Sequence, residues 1–440
     1  MVDSRSAYED LIPRTAWLWD RRELEAWQLE RLNEQLAVCL PTNRFYRAKF
    51  GVDRLQLRSF DELQQLPMTS KSELVASVDH AGWSGNQTFQ PTQYSRLHRT
   101  SGTTGVPLMI RDTELDWRWW SSAWQHVLEA AQITADDRVF LAFSFGPFVG
   151  FWSAHQGCVD RGAIVIPGGG LSTIARLEFM RQSQASVIFS TPSYALHLAE
   201  VARREDIRLS DLNINRIVVA GEVGGSVPSL RSRIEETWNA QLVDHCGATE
   251  IGPWGLGWPT KPGIQVIESH FIAELLPLGG QDAVLPTIAH TAQNAVPCEL
   301  VLTSLGRWGA PVIRYRTGDV VLASVPDSGE CRFLWLEGGV IGRVDDMVTI
   351  RAVNIFPSSI DAILREFASV GEYRVFVVRE GELDQLRIDV EASTADLPKI
   401  AKRLDVALGL RIPISQVPDG SLPRSEGKAK RWVDSRSQSK

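Results

Sequence analysis

Between residues 138 and 244 short apolar runs alternate with longer stretches of helical periodicity, and only a narrow set of folds accommodates that order. Residues 138–143, 163–166, 187–190, 217–220 and 242–244 read as strands. Residues 171–182, 193–204 and 226–239, lying between them, read as helices. Repetition of this kind predicts βαβ units, hence an α/β fold with a mainly parallel sheet covered by helices. At 440 residues the chain favours two or more domains over one.

The flanks have a different texture. Residues 21–40 read as an amphipathic helix, with Leu24, Trp27, Leu32, Leu36 and Cys39 near helical spacing and Pro41 as the stop. Beyond residue 345 or so, strands at 347–350, 373–378 and 386–390 and helices at 358–367 and 396–408 predict a small α+β domain. The expected division is therefore 1–343, 344–433 and a polar, disordered tail at 434–440.

Composition narrows the partners. A formal net charge of −7 supplies no basic surface for nucleic acid, although local Lys and Arg residues can still bind small anions. Cys39, Cys158, Cys246, Cys298 and Cys331 are dispersed with no CxxC pair, as in a reducing compartment. His245, Cys246, His270 and Cys298 lack the paired spacing of a zinc site. The N-terminal stretch has no apolar signal core, and no uncharged apolar run reaches about 18 residues. The expectation is a cytoplasmic protein without a membrane span.

Four segments carry groups with chemical potential. Thr100-Ser101-Gly102-Thr103-Thr104-Gly105-Val106-Pro107 offers hydroxyls and accessible backbone N–H groups that can wrap a polyphosphate, though a plain Gly/Thr turn has the same composition. It is not a Walker loop, since Gly-x-x-x-x-Gly-Lys-[Ser/Thr] is absent from the chain. Asp244-His245-Cys246-Gly247-Ala248-Thr249-Glu250 follows a predicted strand, where α/β sheets place ligands. There Glu250 suits Mg²⁺ and Thr249 a phosphate oxygen, while a solvated helix-start carboxylate is the ordinary alternative. Tyr315-Arg316-Thr317-Gly318-Asp319 and Gly342-Arg343-Val344-Asp345-Asp346 each read as turns, and Asp319 suits a ribose diol. Leu422-Pro423-Arg424-Ser425-Glu426-Gly427-Lys428 places a Lys on a Pro-bounded loop. One such charge at about 4 Å from a developing anion contributes ~4 kcal/mol at an effective dielectric near ~20.

In this order and spacing the four segments resemble the adenylate-forming (AMP-binding) superfamily, and within it the phenylacetate–CoA ligase branch. The same resemblance extends to residues 143–150 with His155, to Thr191-Pro192-Ser193-Tyr194, to residues 351–357 and to residues 23–50 with Phe45-Tyr46-Arg47. It spans roughly residues 8–433.

The resemblance implies ATP, Mg²⁺ and coenzyme A as cofactors and co-substrates. It implies a large adenylation domain holding the acyl pocket, and a small mobile C-terminal cap carrying the catalytic Lys. Ser101, Gly102, Thr103, Thr104 and Gly105 match the phosphate-binding loop; Gly221 and Glu222 match the adenine-lining segment, with Cys246 and Gly247 beside it. Thr249 and Glu250 match the phosphate and magnesium contacts, and Asp319 matches the ribose ligand. Arg343 and Asp345 flank the implied hinge, and Lys428 matches the Lys that closes over the acyl-phosphate. The implied reaction forms an acyl-adenylate with release of pyrophosphate, then a thioester of CoA.

Three positions depart from the family pattern. Val106 replaces a frequent Lys, and Ala352 replaces a Gly on the loop expected to line the thiol channel. Cys246 replaces an aromatic residue, whose lost stacking costs about 0.5–1.5 kcal/mol, roughly tenfold in nucleotide affinity at most. The aromatic stretch from Phe143 to Trp152 suits a planar aromatic acid, with Phe145, Phe148, His155 and Tyr194 as pocket residues, although core packing explains single aromatics equally well. Two other readings stay open at this point: transfer to an amine or carrier-protein thiol in place of CoA, and a non-catalytic nucleotide-binding protein. A homodimer is compatible with this reading.

Overall fold

The structure, a computed structural model, describes residues 16–79, 82–100, 107–143, 145–278, 296–326, 331–350, 353–380, 383–424 and 431–436. Among them a hairpin of β1 (Tyr94–Arg99) and β2 (Met109–Thr113) precedes a sheet of eleven strands. Its first half comprises β3 (Arg138–Leu141), β4 (Ile164–Pro167), β5 (Val187–Ser190), β6 (Arg216–Ala220) and β7 (Gln241–Ala248), all parallel in the order β7-β6-β5-β3-β4. The α/β alternation in the sequence thus becomes the expected parallel layer.

The second half is antiparallel. It runs through β8 (Gly252–Trp258), β9 (Lys261–Val266), β10 (Phe271–Pro277), β11 (Pro297–Ser304), β12 (Tyr315–Ser324) and β13 (Trp335–Arg343), in the order β10-β11-β12-β13-β9-β8 next to β7. These strands escape sequence reading because β8, β10 and β11 are buried on both faces, which removes the alternation, and β8 carries three glycines besides. A Cβ at Gly255 would sit 2.7 Å from Ile264, and one at Gly257 would sit 2.7 Å from the Asp244 carbonyl oxygen. Such close backbone approach needs Gly, at the expense of the apolar alternation that marks a strand.

Period-two alternation splits the parallel strands between two cores. Val139, Leu141, Val187, Phe189, Val218 and Val243 face the helices Glu114–Ala130 and Val149–Arg161. Phe140, Ile188, Ile217, Val219 and Leu242 face the helices Thr173–Gln182, Pro192–Arg204 and Pro228–Trp238. The N-terminal helix Arg21–Cys39, opened by a capping box at Asp20, buries Leu32 and Leu36 against Ile272, Leu305 and Ile313.

A separate core is built from Ile350 to Ile412, with the half-buried Trp432 against it. It lies between a four-stranded sheet and the helices Pro357–Arg365 and Leu397–Leu408. The sheet contains β16 (Tyr373–Glu380), β17 (Leu383–Val390), β18 (Ile414–Gln416) and β19 (Trp432–Asp434), after the short pair β14 (Val348–Ile350) and β15 (Val353–Ile355). Residue 434, expected to open a disordered tail, instead closes β19, where Asp434 pairs with Val377. Arg436 then binds Asp434 and, at 2.9 Å, Asp384. Polarity alone misled there, because a polar strand edge can be held by ion pairs. Among the described residues no helix is long and apolar enough to cross a membrane.

Candidate active site

The turn Thr249–Ile251 leaves β7 at the C-terminal edge of the parallel strands. Glu250 is buried there, and its Oε1 forms an ion pair with Lys71 Nζ at 2.9 Å and accepts from the Tyr315 hydroxyl at 3.4 Å. Burial, with Glu250 beside it, pushes the Tyr315 phenol well above its usual range, so it remains a neutral donor. Lys71 went unnoticed in the sequence. It begins the helix Lys71–Ala76, where a cation opposes the helix dipole. That misplacement is the one local signal that the ammonium serves a partner elsewhere. Its position is set by Thr69, which accepts from Arg316 N–H and donates to the Arg314 carbonyl, each at 2.8 Å, splicing the segment onto β12.

Asp319 and Arg343 face each other across β12 and β13. Arg343 donates to Asp319 Oδ1 at 2.5 Å and to the Thr317 carbonyl at 3.2 Å. Gly318, at φ +74°, makes this possible, because a Cβ there would stand 2.9 Å from the guanidinium. Burial opposes the charge on Arg343, but Asp319, Asp346, Asp345 and Glu250 outweigh it and raise its pKa. A fixed cation therefore sits among carboxylates drawn from β12, the turn after β13 and the turn after β7.

The end of β6 lies beside β7, with Ala220 opposite His245. Gly221 follows at φ +88°, and Glu222 accepts from Ser193 Oγ at 2.7 Å at the start of the helix Pro192–Arg204. Cys246 is half-buried and Gly247 exposed. Burial, reinforced by Asp244 and Asp319, raises the Cys246 thiol well above its usual range, which leaves it neutral and unreactive. His270 is enclosed by serines, with Nε2 2.9 Å from Ser122 Oγ and Nδ1 2.9 Å from Ser269 Oγ.

The aromatic segment borders this edge. Phe145 meets Trp152 edge-on at 5.0 Å and His155 at 6.2 Å, and Phe143 stacks on Phe151 at 4.1 Å. Burial lowers the pKa of His155. Phe148 is half-buried at the start of the helix Val149–Arg161. Arg99 N–H donates to the Pro147 carbonyl at 2.9 Å, which joins the segment to β1. Tyr194, expected in the same pocket, is not brought there. It packs in the core on the opposite face of the sheet, with its hydroxyl bonded to Thr173 Oγ1 at 3.1 Å and to Arg176. The sequence could not distinguish the faces, since the helix Pro192–Arg204 presents Ser193 to the site edge and Tyr194, one residue on, to the core.

Ser101, Gly102, Thr103, Thr104 and Gly105, with Val106, Ala352 and Lys428, lie outside the described residues. The residues that flank 101–106 are described. Thr100 N–H donates to the Leu108 carbonyl at 2.9 Å, and Leu108 N–H donates to Thr100 Oγ1 at 3.0 Å.

A mixed sheet with a separate α/β unit behind it, and an acidic site at the edge of the parallel strands, define the adenylate-forming class. Residues 352–436 match the AMP-binding enzyme C-terminal domain family. The chain is 30% identical over 432 residues to a phenylacetate-coenzyme A ligase of Pseudomonas putida, covering 94% of each protein. To the phenylacetate-coenzyme A ligase of Escherichia coli K12 it is 30% identical over 438 residues, covering 94% of this chain and 95% of that one. The chain belongs to the phenylacetate–CoA ligase branch of the adenylate-forming superfamily.

Among solved structures it superposes with a TM-score of 0.87, at 26% identity, on a 2-hydroxyisobutyryl-CoA ligase in the postadenylation state with its acyl-AMP. That match covers 95% of this chain and 91% of the other. Against the same ligase with CoA in the thioesterification state the TM-score is 0.70. The overall arrangement of the chain is therefore nearer the postadenylation form.

Proposed function

We propose that the protein activates a carboxylic acid with ATP to its acyl-adenylate and passes the acyl group to the thiol of coenzyme A. The observation that carries this reading is the convergence of Lys71, Glu250, Asp319 and Arg343, from distant parts of the chain, at the strand edge of a fold of this family. In the first step a carboxylate oxygen of the acid bonds to the α-phosphorus of ATP, the bond to the bridging oxygen of the β-phosphate breaks, and pyrophosphate leaves. In the second step the thiol sulfur of CoA bonds to the acyl carbon, the thiol proton is released, and AMP leaves.

The chain's own groups position and neutralise; little covalent chemistry falls to them. Glu250 fits a magnesium ion: its carboxylate supplies the hard oxygen such an ion takes, with Oε1 held by Lys71 and Tyr315. Magnesium, when bound, neutralises phosphate oxygens. In this reading Ser101–Gly105 and Thr249 contact phosphates, and Gly221, Glu222, Cys246 and Gly247 border the adenine. Asp319 accepts from the ribose diol and Arg343 holds it in place. Residues 344–433 form a cap that turns about Arg343 and Asp345, bringing Lys428 to the acyl-phosphate and then withdrawing it. Phe145, Phe148 and His155 border the acyl group, and their rings favour a planar aryl acid. The same reading places the enzyme in the cytoplasm, in keeping with five unpaired cysteines, and includes a homodimer that light scattering measures.

The experiment is pyrophosphate release across a panel of aryl acids, with and without CoA. CoA-stimulated turnover with a thioester product is the expected result. Release indifferent to CoA would move the acyl group to another acceptor, and silence across the panel would overturn the activity.

A further inference from the structure

We propose that Arg307 is a positioning residue of the adenylation step, its guanidinium holding the hairpin of the phosphate loop at a fixed spacing from the Thr249–Glu250 turn. The inference rests on the functional reading above and adds to it a residue that makes no substrate contact.

Arg307 and Asp112 are both fully buried, their side chains 0% exposed. The guanidinium forks onto the carboxylate, with Nε at 2.8 Å from Oδ1 and an NH2 donor at 3.0 Å from Oδ2. The fork engages both carboxylate oxygens, and a third donor of the same guanidinium, NH1, reaches the Thr249 carbonyl at 2.9 Å. Asp112 belongs to β2, four residues beyond Leu108, whose backbone closes the base of the phosphate loop on Thr100. Strand β2 carries that anchor to the loop across roughly 13 Å at about 3.3 Å per residue. Thr249 adjoins Glu250. One planar group thus spans both segments.

The surroundings hold the group still. Trp120 Nε1 donates to Asp112 Oδ1 at 3.3 Å and its ring lies 5.1 Å from the guanidinium carbon. The loop bearing Arg307 is itself pinned: Trp119 Nε1 donates to the Leu305 carbonyl at 2.6 Å, and Gly309 N–H donates to Asp116 Oδ1 at 3.0 Å. A lysine ammonium could not reproduce a fork with a third bond in another direction.

Two variants test the role. Arg307→Lys keeps the charge and loses the span. Asp112→Leu combined with Arg307→Met removes both charges together, which a fold tolerates far better than one buried charge left alone. Both are expected to melt cooperatively and to raise the KM for MgATP in pyrophosphate release by about ten- to hundredfold, the range of one lost charge-assisted hydrogen bond, with the KM for the acid within about twofold of the parent. An unchanged KM for MgATP in either folded variant overturns the proposal. So does a parallel rise for ATP and acid, or failure of both variants to melt cooperatively, since the pair would then serve the fold alone. A wild-type protein that releases no pyrophosphate with any acid strikes the functional reading itself, and this inference with it.

Discussion

At the scale of single residues the charge at Glu250 decides most. Glu250→Gln keeps the shape but removes the anion that faces Lys71 and would hold magnesium. Adenylate formation is expected to fall by about a hundredfold or more, the range seen for loss of one electrostatic contact to a reacting group. Lys71→Met tests the partner. Lys71 is 33% exposed, so the pair adds no more than about 1 kcal/mol to stability after solvent screening, and Tm should barely move. Pyrophosphate release should nonetheless drop about tenfold, as for one lost charge contact. Full activity in the Lys71 variant would remove it from the site. Glu250 and Asp319 were legible because each lies in a short run of unusual composition. Lys71 was not, because its meaning comes from a carboxylate far along the chain.

Strand β7 shows how an element sets chemistry that residue type does not. Burial pushes Asp244 up to about 6, against hydrogen bonds from Ser226 Oγ at 2.7 Å and from His245 N–H at 3.0 Å. The same burial pushes its neighbour His245 down to about 4, with Nδ1 2.7 Å from the Gly255 carbonyl. The two slopes oppose. Folded Asp244 binds its proton more tightly than the unfolded chain does, so its contribution is complete below the ordinary carboxyl value of 3.8 and is lost as pH rises through about 6. His245 contributes above its ordinary value of 6.5 and loses that contribution as pH falls through about 4. Asp244→Asn should therefore flatten the Asp244 limb, gaining on the order of 2 kcal/mol at pH ~7.5 relative to pH ~4.5 in urea unfolding. An identical pH dependence in parent and variant would show that Asp244 does not titrate in the fold.

Among the described residues the two lobes of the whole molecule are joined by a few hydrogen bonds, one from Ser358 Oγ to the Ile341 carbonyl. Ser229 Oγ donates to the Ala362 carbonyl at 3.3 Å, and Arg233 donates to the Val370 carbonyl at 3.1 Å. Each lobe has its own core, the arrangement that the proposed rotation requires. The rotation proposed above predicts a split in Lys428→Ala. Adenylate formation should fall by about a hundredfold while thioester formation from supplied acyl-adenylate stays near the parent rate. Equal loss in both halves would contradict the role given to Lys428.

The sequence alone determined the parallel layer, the small C-terminal α/β unit and the motif residues, because hydrophobic period and turn chemistry are local properties that survive without a partner. Tertiary structure alone decided the antiparallel strands, where Gly257 answers to the Asp244 backbone across the sheet, and the face on which Tyr194 lies. It alone joined Lys71 to Glu250 and Arg307 to Thr249, since a buried charge takes its role from whichever opposite charge or carbonyl the fold brings within hydrogen-bond reach.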